Sequence, residues 1–113
     1  MPDHTEITSL DALALSAAVK SRQLSCVEVM DAFLDRIELL NPRVNAIVSL
    51  QPRDLLRKQA QQRDAQLARG EQFGLLHGIP VAIKDLEPTE GIRTTLGSPL
   101  FRDFVPHTDS IVA

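Results

Sequence analysis

Lys84 is the residue in this 113-residue sequence whose surroundings best suit it to chemistry. It closes the apolar run Ile79-Pro80-Val81-Ala82-Ile83, entered through Gly78. A short β-branched run bounded by glycine and proline predicts a buried strand over about 79–84. Pro80 has no backbone donor and belongs at the start of that strand or on an edge. Alternation puts Ile79, Val81 and Ile83 on one face and Ala82 with Lys84 on the other. Lys84 therefore stands at the carboxyl end, where α/β sheets commonly build their sites. Two readings follow. In one, Lys84 is a solvated charge marking where burial stops. In the other, burial leaves part of its population neutral, and a neutral amine can take a proton from a nucleophile.

Other reactive side chains point to less. Cys26, the single cysteine, has no internal disulfide partner and sits in the first turn of a predicted helix. That position favours a thiolate, yet a free cysteine is more commonly a small packing residue. His4, His77 and His107 have no ligand spacing, so no metal site is expected. No cofactor is expected. Asp85, next to the lysine, is either an orienting group or an ordinary loop cap.

The elements that must position Lys84 are mostly helical. Met1–Ile7 reads as a polar arm. A first helix is predicted over about 9–23, capped by Thr8 or Ser9, with Asp11 near its positive end. Ser25 and Glu28 form a capping box that opens a second helix over about 25–40. Its stripe is Val27, Met30, Leu34 and Ile37, and Asn41-Pro42 is expected to end it. Val44–Leu50 predicts a second strand, over about 44–50. A third helix is predicted over about 52–69, starting with Pro52 and stopping at Gly70. Its arginines and lysine read as a solvated face. Residues 86–108 read as a long loop, a feature that is often functional. His107–Ala113 looks like a cap and the first turn of a helix, which gives the sequence a truncated look.

Composition limits the function classes. The formal charge is −3 with acids and bases interspersed, so no nucleic-acid surface is expected. There is neither an export signal nor an apolar run of membrane-spanning length, making a cytoplasmic location and no membrane partner the default. Val81-Ala82-Ile83-Lys84 spells the strand lysine of protein kinases, but Gly70, Gly74 and Gly78 lack the required hairpin spacing and no catalytic loop follows. A phosphate-binding loop fails too, since Lys84 is flanked by Ile83 and Asp85.

A longer match takes in GLLHGIPVAIKD (74–85), then Gly91–Ser98 with its Thr94-Thr95 pair and Gly97-Ser98, then Asp109-Ser110-Ile111-Val112. Together these resemble the amidase signature family, and the likeness runs from about Ser9 to the end. It implies an α/β fold, with N-terminal helices packed on part of a central mixed sheet. Residues 1–113 would be the N-terminal portion of a domain several times longer. It also implies amide hydrolysis by a Ser–Ser–Lys triad through an acyl-enzyme, in a free amidase or in the amidase subunit of a tRNA amidotransferase. Of the triad only the lysine carries over, as Lys84. Both serines would lie downstream, and Ser98 corresponds to a loop-positioning segment. Leu86 stands where many members have Asn. The chain alone is then expected to be inactive, with a small-molecule amide as substrate of the complete enzyme. The alternative is a self-associating, non-catalytic module, which exposed sheet edges would draw into a homodimer.

Overall fold

A computed structural model describes residues 3–113. The chain divides into two compact units. The first comprises the described residues up to Val44 together with Pro52–Pro80, and the second comprises Asn45–Gln51 with Val81–Ala113.

Four helices build the first unit: α1 (His4–Ser9), α2 (Ala12–Lys20), α3 (Cys26–Val44) and α4 (Arg53–Ala68). Asp3 caps α1 in a reciprocal box with Glu6, so helix replaces the polar arm expected there. Met1 and Pro2, also assigned to that arm, lie outside the described residues. Thr8 and Ser9 do not cap. Their hydroxyls donate back to carbonyls of α1, and Asp11 takes the capping role for α2, its carboxylate accepting from Ala14 N–H at 2.8 Å.

The Ser25–Glu28 box forms as its spacing dictates. Glu28 N–H donates to Ser25 Oγ at 3.0 Å, and Ser25 N–H donates to Glu28 Oε2 at 2.8 Å. α3 runs past Asn41-Pro42 to Val44. A proline in the last turn forfeits only one intrahelical bond, and Asn45 (φ 47°) then closes the helix in the left-handed region. α4 ends in a Schellman motif, with Glu71 N–H on Gln66 O and Gly70 N–H on Leu67 O.

α3 packs on α1 and α4 around Ile7, Leu15, Val19, Leu24, Cys26, Val29, Ala32 and Ala60. On the facing surfaces Arg53 pairs with Asp35 at 2.7 Å and Glu38 at 2.9 Å, and Arg57 pairs with Asp31 at 3.0 Å. These arginines of α4 are thus engaged by acids of α3 instead of forming a free basic face.

The α/β expectation is overturned. Among the described residues there is no strand and no sheet, only an isolated antiparallel bridge between Thr89 and Ile92. A strand exists only through pairing, which composition does not encode. In the predicted 44–50 strand, Val44 is taken into α3 and Asn45 breaks extended geometry. In 79–84, no neighbouring segment supplies a ladder, and Val81 and Ile83 are left exposed.

The second unit comes closest to β structure where 88–94 lies antiparallel to 104–110. Gly91 N–H donates to Pro106 O at 3.0 Å, Thr94 N–H to Phe104 O at 3.0 Å, and Ser110 N–H to Pro88 O at 2.7 Å. A hydrogen-bonded antiparallel pair normally exchanges two bonds. Opposite Gly91 and Ser110 the partner is proline, which cannot return one, so the pairing stays half-made. The helix expected at His107–Ala113 is absent, and turns occupy that stretch.

Candidate functional site

Lys84 opens a turn in the second unit, its carbonyl accepting from Glu87 N–H at 2.9 Å. Its side chain is exposed and has no ion-pair or hydrogen-bond partner among the described residues. The burial that a proton-accepting lysine calls for is thus not present among these residues.

What holds the Lys84 corner is Asp85. Its carboxylate accepts from Thr95 N–H at 2.8 Å and from the Thr95 hydroxyl. Its own carbonyl accepts from Leu96 N–H at 3.0 Å. Thr95 Oγ1 in turn accepts from Gly97 N–H at 3.3 Å. The Thr95 hydroxyl bond, then the Thr95 amide, and then the nearby Arg93 charge hold the Asp85 carboxyl below the usual carboxylate range.

The segment Asp85 grips is a tight turn, closed by Ser98 N–H on Thr95 O at 3.0 Å. Both central residues have positive φ, Leu96 at 54° and Gly97 at 69°. Two positive φ values in sequence are the signature of a type I′ turn. Glycine accepts that conformation freely, but a leucine there costs roughly 1–2 kcal/mol. Such strain persists only where neighbouring bonds over-determine it.

The remaining sequence candidates have structural duties. Ser98 Oγ accepts from Leu100 N–H at 3.3 Å and so caps the 3-10 turn Pro99–Phe101. Cys26 is fully buried, and its thiol is pushed up to about 12, first by burial and then by the hydrogen bond and charge of Asp64. That excludes a ready thiolate. His77, buried in the first unit, has Nε2 3.1 Å from Arg63 O, and its Nδ1 accepts from Phe73 N–H at 3.4 Å. Among the described residues no three His, Cys, Asp or Glu side chains gather as a metal site.

Three residues without an individual role in the sequence reading matter here. Asp64 reaches from α4 to accept from Cys26 N–H at 2.7 Å and Val27 N–H at 3.2 Å, capping α3 from a distance. Thr95 is the partner of Asp85. Arg93 donates to Arg102 O at 3.3 Å and Val48 O at 3.2 Å, tying together three stretches of the second unit. None of these has a local sequence signal, because each partner is nine or more residues away. Two shallow concavities are lined by Pro99–Phe104 and by Val19, Arg22, Ser25, Glu28 and Asp64 among others, and Lys84 lines neither.

Residues 28–113 match the Amidase family model, and the chain belongs to the amidase family. Among its relatives, the A subunit of glutamyl-tRNA(Gln) amidotransferase from Bdellovibrio bacteriovorus is 42% identical over 93% of this chain and 21% of its own length. The protein of the same name from Granulibacter bethesdensis is 44% identical over 94% of this chain and 21% of its own length. "Putative amidase AmiD" of Mycobacterium bovis is 36% identical over 97% of this chain and 23% of its own length. The chain therefore spans about a fifth of the curated relatives it matches. No helix among the described residues is long and apolar enough to cross a membrane.

Proposed function

We propose that this chain is the N-terminal portion of an enzyme that hydrolyses a carbon–nitrogen amide bond, with Lys84 as its general base. The observation that carries the reading is the fixed Lys84–Asp85 corner, pinned to the strained Thr95–Ser98 turn within the family-matched region. In the mechanism that family membership implies, neutral Lys84 accepts a proton relayed through a bridging serine from a nucleophilic serine. The nucleophile adds to the amide carbon, the amine departs with a proton, and water then cleaves the acyl-enzyme. Both serines belong to polypeptide beyond these residues, as does the surface that would bury Lys84. The chain alone is then inactive, and the substrate of the complete enzyme is a small-molecule amide. A cytoplasmic setting fits the free, sealed thiol of Cys26.

The test is Lys84→Met in the complete polypeptide. Amide turnover should fall by about a thousandfold or more, as removal of a triad member does. Retention of turnover within tenfold would remove Lys84 from the mechanism.

The amidase subunit of a tRNA amidotransferase is a second form of the same reading, favoured by the names of the relatives at 42–44% identity. Release of free ammonia from a simple amide without any partner protein separates a free amidase from a component of such a complex. A non-catalytic, self-associating module remains the competing class, favoured by the exposed Val81, Ile83 and Leu86. Sedimentation as a folded monomer counts against it.

A further inference from the structure

We infer that Asp85 is the positioning residue for Lys84, fixing the backbone from which the lysine side chain reaches its target. The inference rests on the general-base reading of Lys84. Two independent observations carry it. The first is the clamp: one residue, adjacent to Lys84, accepts from Thr95 N–H, the Thr95 hydroxyl and Leu96 N–H, engaging the turn through both side chain and carbonyl. The second is the conformation being clamped, with leucine held at φ 54° ahead of Gly97. An ordinary loop cap satisfies a donor or two at an unstrained end. Here the bonds retain a conformation that leucine would otherwise leave.

The geometry explains why the acid sits directly after the lysine. Lys84 itself has no side-chain partner among the described residues, so its placement comes wholly through its backbone. That backbone has two fixed points, the Lys84 carbonyl on Glu87 N–H and the Asp85 clamp. Without the clamp the turn is free to relax, and the base swings with it. Misplacement of a reacting group by about an ångström can cost on the order of a hundredfold in rate.

Four variants of the complete polypeptide test this, with rates normalised to titrated active sites so that loss of folded protein does not count. Asp85→Ala should lower kcat about 10- to 100-fold while KM changes less than about threefold. Thr95→Val removes the hydroxyl but keeps the N–H, and should lower kcat less. Thr95→Ser keeps both donors and should restore most of the rate. Asp85→Asn should lower kcat in the same way, with KM again changing less than about threefold. A merely structural residue would give neither that split of kcat from KM nor the Thr95→Ser rescue, and the asparagine variant preserves shape if the alanine variant fails to fold. An unchanged kcat in both Asp85 variants, with Lys84→Met inactive, overturns the positioning role and leaves the general base standing. An active Lys84→Met overturns both.

Discussion

The two units are held together by different physics. The first buries Ile7, Leu15, Val19, Leu24, Cys26, Val29, Ala32, Leu34 and Ala60 between helices, so apolar burial dominates. In the second, the buried residues are Thr94 and Pro106, and the segments are joined by hydrogen bonds that Asp85 and Asp109 accept, by those that Arg93 donates, and by the half-made pairing of 88–94 with 104–110. A core of helices tolerates little change of volume, while an irregular segment with little core of its own depends on individual polar contacts. The candidate chemistry lies in the second unit, on a loop, as functional residues often do.

That contrast can be broken at its most rigid point. A Cβ at Gly78 would stand 2.4 Å from Cys26 Sγ and 3.4 Å from Val19 Cγ1, on a backbone at φ 78°. Gly78→Ala should destabilise the first unit by about 3 kcal/mol, read from urea unfolding by the helical signal. In a Cys26→Ala background the added penalty should shrink to about 1–2 kcal/mol, because the sulfur is gone and the positive φ remains. Equal penalties in both backgrounds would mean the close approach is not the cause.

A smaller effect tests whether polar contacts also matter in the helical unit. Asp64→Ala strips two accepted bonds from the start of α3 and should cost about 1–2 kcal/mol, while Asp64→Asn should recover part of it. In the second unit the matching experiment is acid titration. Asp85 has a depressed folded-state pKa, so its contribution is complete above about 3.8, the usual aspartate value, and is lost as pH falls through the lower folded value. The Thr95 amide resonance should therefore stay fixed at neutral pH and move only in strong acid, and Asp85→Asn should abolish the movement. The smallest effect belongs to the surface network. Arg53, a third exposed, pairs with three acids of α3, yet Arg53→Gln should cost less than about 1 kcal/mol and still less in high salt.

Local chemistry made the helices legible. The Ser25–Glu28 box and the Gly70 stop are short-range signals, and both appear where their residues put them. The helix expected over 9–23 starts instead at Ala12, because Asp11 outcompetes Thr8 and Ser9 as a cap, a choice local rules leave open. The strands expected at 44–50 and 79–84 fail for a different reason. Valine and isoleucine announce a surface suited to pairing, not the presence of a partner. At the site, the Lys84–Asp85 corner is readable from its place after an apolar run. Thr95 is not, because nothing in its own neighbours marks it as the residue that Asp85 will hold.

Cys26 gives the helical unit a built-in reporter. Its sulfur has no exposed surface, lies behind Gly78, and belongs to a thiol raised to about 12. At neutral pH a thiol-labelling reagent therefore reacts only with molecules in which α3 has separated from its neighbours. Once opened, the thiol regains its ordinary reactivity and labels quickly. When reclosing is fast, the labelling rate divided by that of the unfolded chain is the fraction of molecules open at any instant. The single cysteine thus turns a packing detail into a clock for the breathing of the first unit, with no engineered residue.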